Sequence, residues 1–126
     1  MPPLSLSPSY GERAGVRGSI AAEQDEERQL QFEQFKSSLN GAAPPAGISG
    51  PAQALWWQAK GDWHQAHRCC QDAHDATGAW AHAYLHRVEG DQSNSAGWYK
   101  RAGKNPSTAS LEQEWEEIAR AVLASS

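Results

Sequence analysis

Apolar residues recur along this chain at the spacing of helix turns, and Gly, Pro, Asp and Ser interrupt them at short intervals. Phe32, Phe35 and Leu39 fall at i, i+3 and i+7 and predict a first helix over 23–40, with Asp25, Glu26 and Glu27 early, where the helix dipole favours acidic groups. Gly41 is its stop signal, and the segment GAAPPAGISG (41–50) is a linker that a helix does not cross. Pro51 suits a helix first turn and opens a second helix over 51–60, with Leu55, Trp56, Trp57 and Ala59 as its apolar side. Gly61 ends it, and Asp62 caps a third over 63–74. Thr77 caps a fourth over 78–89, which Gly90 ends. Asp91 or Ser93 starts a fifth, which runs to Ala102 and is closed by Gly103. A sixth helix ends at Ala124, capped by Ser107 or by Ser110, which has capping-box spacing to Gln113. Leu111, Trp115, Ile118 and Val122 are its apolar stripe.

The pattern predicts an all-α domain of about six helices. The central four pair off. Each pair joins at a Gly-Asp turn, Gly61-Asp62 and Gly90-Asp91, 29 residues apart, and each second helix has a small residue near its start, Ala66 and Ala96. Such short turns predict two repeat-like antiparallel helical hairpins flanked by an N-terminal and a C-terminal helix. The segment GDQSNSAGWYKRAG (90–103) resembles the second half of a tetratricopeptide or Sel1-like repeat, with Gly at the hairpin turn, a small residue between helices and a closing aromatic-basic segment. The blocks LWWQAKGDWHQAH and AWAHAYLHRVEGD also resemble a group of small uncharacterised proteins that carry both, over about 51–103. The resemblance implies a stacked-hairpin core that binds a protein or peptide. The first unit departs from the repeat consensus at Trp56-Trp57 and at its Cys pair. Two units are also fewer than a solenoid needs, so the outer helices would have to cap the stack.

Composition narrows the function classes. A chain of 126 residues holds one domain. Residues 1–20, rich in Pro, Ser and Gly with no apolar period, read as a disordered tail; their text resembles translated dispersed-repeat DNA, as a start codon assigned too early would give. Residues 21–126 read as the single helical domain. A net charge of −4 and a pI of about 5.7 argue against a general nucleic-acid binder. There is no run of eighteen apolar residues for a membrane span and no signal-like apolar stretch in the first twenty, so the expected location is the cytoplasm. Cys69 and Cys70 are neighbours, which on a helix point about 100° apart, and are expected to be reduced thiols.

All five His and both Cys lie between residues 64 and 86. On the third helix Trp63, His67, Cys70 and His74 share one face with Ala66 and Ala73. The fourth helix is apolar over most of its circumference, with His82, His86 and Glu89 as its one polar stripe; such a stripe must meet water, a partner group or a ligand. One reading is a divalent-metal site with zinc as the suited ion: His82 and His86 at i, i+4 as ligands, completed by His67, Cys70 or Glu89. The zinc-protease helix requires Glu directly after the first His, and Ala83 stands there. The leading expectation is a non-enzymatic protein- or peptide-binding module without cofactor, whose surface uses His82, His86, Arg87, Glu89, Tyr99 and Arg101 between walls of Trp57, Trp63, Trp80 and Trp98. Against both stands the plain alternative that these His are hydrogen-bonded between packed helices and that the Trp are core. No catalytic residue is assigned: Cys70 with His67 or His74 sits on an apolar helix face where thiols are inert, and the Gly residues fall at helix ends instead of in a phosphate loop. The acidic run Glu112, Glu114, Glu116 and Glu117 reads as a solvated helix start. The expected partner is a protein or peptide, not nucleic acid or membrane, and a Trp-rich short stack could also pair with a second copy of itself.

Overall fold

A computed structural model describes the backbone of residues 14–124 and the side chains of residues 22–124. The fold is all-α, with six helices: α1 Ala14–Ser38, α2 Gly50–Ala59, α3 Trp63–Cys70, α4 Ala76–Glu89, α5 Gln92–Ala102 and α6 Leu111–Ala124. Helix α1 begins at Ala14, well before the predicted residue 23. From residue 22 to residue 31 its side chains are exposed, so the apolar stripe marks only the end that packs, at Phe32 and Phe35. The remainder of the expected tail, 1–13, lies outside the described residues. Among the described residues no helix is long and apolar enough to cross a membrane.

The two Gly-Asp turns have one geometry. Gly61 and Gly90 both have φ of 87°, the left-handed conformation that glycine adopts without penalty. The Asp62 N–H donates to the Trp57 carbonyl and the Asp91 N–H to the His86 carbonyl, each at 2.9 Å. Each Asp then caps the next helix, Asp62 accepting from the Gln65 N–H at 3.0 Å and Asp91 from the Asn94 N–H at 3.2 Å.

Elsewhere the caps shift from their predicted places. Helix α3 stops at Cys70, leaving His74 exposed in the connection. Asp75 caps α4 in place of Thr77: its Oδ1 accepts from the Gly78 N–H at 2.9 Å while the Thr77 hydroxyl donates to its Oδ2 at 3.2 Å. A carboxylate satisfies the free N–H groups and the helix dipole together, which a hydroxyl does less well. Ser110 caps α6, accepting from the Gln113 N–H at 3.1 Å. The Gln113 side chain reaches forward to Glu117, so only half of the capping box forms.

Leu55, Trp56, Leu85 and Ile118 are fully buried, and burying each side chain contributes about 1.5–3 kcal/mol or, for Trp, more. Trp115 fastens α6 to α1 and α2. It stacks on Phe35 at 5.8 Å between ring centroids, and its N–H donates to the Leu55 carbonyl at 2.8 Å. Of the adjacent pair, Trp56 is inside and Trp57 half-buried, as one helix face requires. The Trp56 N–H is satisfied by the Ser38 hydroxyl at 3.0 Å.

Candidate metal centre

Helix α3 presents Trp63 and His67 at i, i+4, and α4 presents His82 and His86 at the same spacing. Where the two helices meet, one ring nitrogen from each of His67, His82 and His86 lies within 4.8 Å of the others. The Nε2 atoms of His67 and His82 are 2.9 Å apart. Indoles hold the rings in place. Trp63 stacks on His67 at 5.0 Å and donates its N–H to the Leu85 carbonyl at 2.7 Å. Trp98 of α5 stacks on His82 at 3.8 Å, nearly parallel. The Glu89 carboxylate accepts from His86 Nδ1 at 2.6 Å, which favours the tautomer with its lone pair on Nε2. The polar stripe of α4 thus turns inward: His82 and His86 are only 5% and 6% exposed, closed in by α3 and α5.

Burial favours the neutral form of His82 and His67. Burial, reinforced by the neighbouring His67, His86 and Arg101, pushes the His82 pKa down to about 4. Burial and His86 also lower His67, with Glu89 opposing. Neutral imidazole is the form that ligates a metal. Around a tetrahedral ion with bonds of 2.0–2.1 Å, ligand nitrogens stand roughly 3.3 Å apart; the spacings here are 2.9 Å between His67 and His82 and at most 4.8 Å across the set. His82 Nδ1 is buried with no hydrogen-bond partner among the described residues, so no hydrogen bond at that atom fixes the tautomer of this ring.

A pH dependence follows for metal-free protein. The unfolded chain protonates His82 near its ordinary value of 6.5 and the folded chain only near 4, so acidification favours the unfolded state within that window. The contribution of His82 is complete above pH 6.5, and it is lost as pH falls through about 4. Urea titrations across this range should give a steeper acid loss for the native sequence than for His82→Gln; equal slopes would count against the depressed pKa.

The remaining predicted residues divide. Cys70 does not join the triad: with Ala66 it packs into the apolar core, its thiol donates to the His67 carbonyl, and burial pushes its pKa up to about 12. Asp91 forms a second grouping with His86 and Glu89, but its Oδ1 is engaged in capping α5. Arg101 stacks on Trp98 at 4.6 Å. Arg87 and Tyr99 go instead to Glu114, which is fully buried and not part of a solvated helix start. Its Oε1 takes Arg87 at 2.7 Å, and its Oε2 accepts from the Tyr99 hydroxyl at 2.5 Å and the Trp80 N–H at 3.0 Å. Arg87 also donates to the Ala109 carbonyl. Burial, then the Glu114 carboxylate, raises the Tyr99 pKa. The six residues expected to form one binding surface therefore belong to separate networks. Helical spacing carried a signal for Glu114, which stands three residues after Leu111 and four before Ile118, on the apolar face of α6.

No protein-family model matches this chain, no curated protein matches its sequence, and no solved structure matches its fold.

Proposed function

We propose that this protein binds one late first-row divalent ion, zinc fitting best, through His67, His82 and His86. The observation that carries the reading is the placement of three imidazole nitrogens within 4.8 Å of one another, drawn from two helices. The donor set is nitrogen alone, which suits zinc, copper, nickel or cobalt and not calcium or magnesium, which require oxygen. Glu89 would act behind His86, keeping the proton on its far nitrogen and fixing the ring's orientation. Such a site leaves a fourth coordination position to water or to a further group. The free thiols of Cys69 and Cys70 fit a reducing compartment such as the cytoplasm.

The repeated turn geometry at Gly61-Asp62 and Gly90-Asp91 favours a second reading, the non-enzymatic hairpin module that binds a protein or peptide. Of its expected contact residues, Glu89 and Arg101 remain on the surface.

The deciding measurement is the metal content of tag-free protein by mass spectrometry, beside a His82→Ala, His86→Ala double variant. The expected result is about one ion per chain, lost in the double variant and retained in Cys70→Ser. A metal-free native chain that takes up no zinc in titration, or a double variant that keeps its ion, would remove the proposal.

A further inference from the structure

Helix α1 has a face that nothing in the chain covers. Its side chains are exposed at every position from residue 22 to residue 31. Asp25 and Arg28 pair with each other at 3.7 Å on the side that borders the end of α6. On another side Glu23, Glu26, Glu27 and Leu30 follow the i, i+3, i+4, i+7 spacing of a single helix face. Glu33, the next acidic residue, accepts from the Gln29 amide. Leu30 is 54% exposed, unusual for a large apolar side chain in this fold. Helix α5 carries a face of the opposite sign. Ala96, Gly97, Lys100 and Arg101 are exposed there, and Lys104 follows just past the end of the helix. A side chain built at Gly97 would meet nothing within 4 Å, so the surface at that point is flat and open. Among the described residues no ion pair engages Glu23, Glu26 or Glu27, and none engages Lys100, Arg101 or Lys104. Arg101 and Lys104 lie over the Trp98 and Trp80 rings, contacts that leave their charges unneutralised.

We infer that the acidic face of α1 docks on the basic face of α5 in a second copy of the chain. The two patterns match when the helices run antiparallel. Leu30 then meets Gly97 and Ala96, Glu27 meets Lys100, Glu26 meets Arg101 and Glu23 meets Lys104. Every acidic position finds a basic one because the spacing of Glu23, Glu26, Glu27 and Leu30 is repeated in reverse by Lys104, Arg101, Lys100 and Gly97. A parallel alignment would set Glu23 against Gly97 and Leu30 against Lys104. The small residues at 96 and 97 let the Leu30 side chain approach the α5 backbone. Pairing two α1 faces, or two α5 faces, would bring like charges together, so complementarity selects the mixed contact. In one molecule α1 packs on α6 and α5 on α4, so each copy offers both faces. The contact is therefore head-to-tail. It spans roughly 15 Å of each helix, well short of a standard interface, and its Kd at low salt is on the order of 100 µM. None of the three imidazole ligands takes part, so the inference does not rest on the metal reading.

The test is sedimentation velocity of the full chain, with a chelator present so that no ion bridges two copies. In about 20 mM salt the native chain should associate as its concentration rises to about 1 mM, and in about 0.5 M salt it should return to monomer. Two charge reversals probe the two faces: Glu26→Lys with Glu27→Lys on α1, and Lys100→Glu with Arg101→Glu on α5. All four side chains are exposed, so both variants should keep the native circular dichroism. Each alone should be monomeric in low salt. An equal mixture of the two should associate again, because the reversed α1 of one variant faces the reversed α5 of the other. A native chain that stays monomeric at about 1 mM in low salt would overturn the inference. So would association that survives either reversal, or two folded variants whose mixture stays monomeric.

Discussion

Glu114→Ala is expected to destabilise the protein by about 3–5 kcal/mol, a large share of the 5–15 kcal/mol that holds a typical domain folded. The carboxylate is fully buried and satisfies three donors from two other helices: Arg87 and Trp80 on α4, and Tyr99 on α5. Its removal leaves the Arg87 cation, whose side chain is 24% exposed, without its counter-charge, and leaves two more donors without an acceptor. The cost comes from what is stranded, not from the intrinsic worth of the pair. Pairing Glu114→Leu with Arg87→Met should therefore recover part of the loss, because both charges leave together. Glu112→Ala, two residues earlier on the exposed side, should stay within about 0.5 kcal/mol of the native chain. Urea unfolding of the four proteins reads all of this. A Glu114→Ala midpoint indistinguishable from that of Glu112→Ala would show that the network contributes nothing net.

The same residue shows where reading the sequence stops. The central helices were legible where an apolar side meets a cap or stop signal: Pro51 opens α2, and Gly61-Asp62 and Gly90-Asp91 close and reopen helices. The start of α1 was not legible; where its side chains are described before Phe32, from residue 22 to residue 31, they are exposed and leave no apolar pattern. Glu114 was misread because its immediate neighbours are acidic; an acidic run describes the chain, whereas position relative to Leu111 and Ile118 describes the face. The His residues were identified as chemically interesting, and helix geometry grouped His82 with His86 correctly. That His67 meets them while Cys70 does not depends on how α3 is rotated against α4, and that rotation is set by long-range contacts such as the Trp63 N–H on the Leu85 carbonyl. No local signal encodes that rotation.

Helix α4 takes part in both buried polar networks and in the wall of a cavity of about 590 Å³ between α1, α2, α4 and α6. Its side chains are buried from Gly78 to His86 except for the half-buried Trp80, so it must find partners on every side. Ala81 and Leu85 meet the apolar core, His82 and His86 meet α3 and the Trp98 ring, Arg87 meets Glu114, and Tyr84 borders the cavity. A polar residue on such a helix survives only where a neighbouring element satisfies it. For Arg87 that neighbour is present. For His82 it is present at Nε2 and missing at Nδ1, which makes the His centre the less completely satisfied of the two buried networks.

Zinc is expected to stabilise the native chain by about 2.7 kcal/mol at a free concentration a hundred times its Kd. For a domain of this size that corresponds to a rise in Tm on the order of 10 °C. The ion would tie α3 to α4, since His67 comes from the first and His82 and His86 from the second. Helix α3 has eight residues, too few to persist without tertiary support, so its amides should gain the most protection from hydrogen exchange when zinc is added. His67→Ala separates this from general stabilisation: it leaves two ligands on α4, keeps α4 and its packing, and should lose both the Tm rise and the protection of α3. Magnesium and calcium should change neither quantity. If zinc leaves the Tm of the native chain unchanged, or raises that of His67→Ala equally, the three imidazoles are hydrogen-bonded packing between helices, and the unpartnered nitrogen of His82 is simply a cost that the fold sustains.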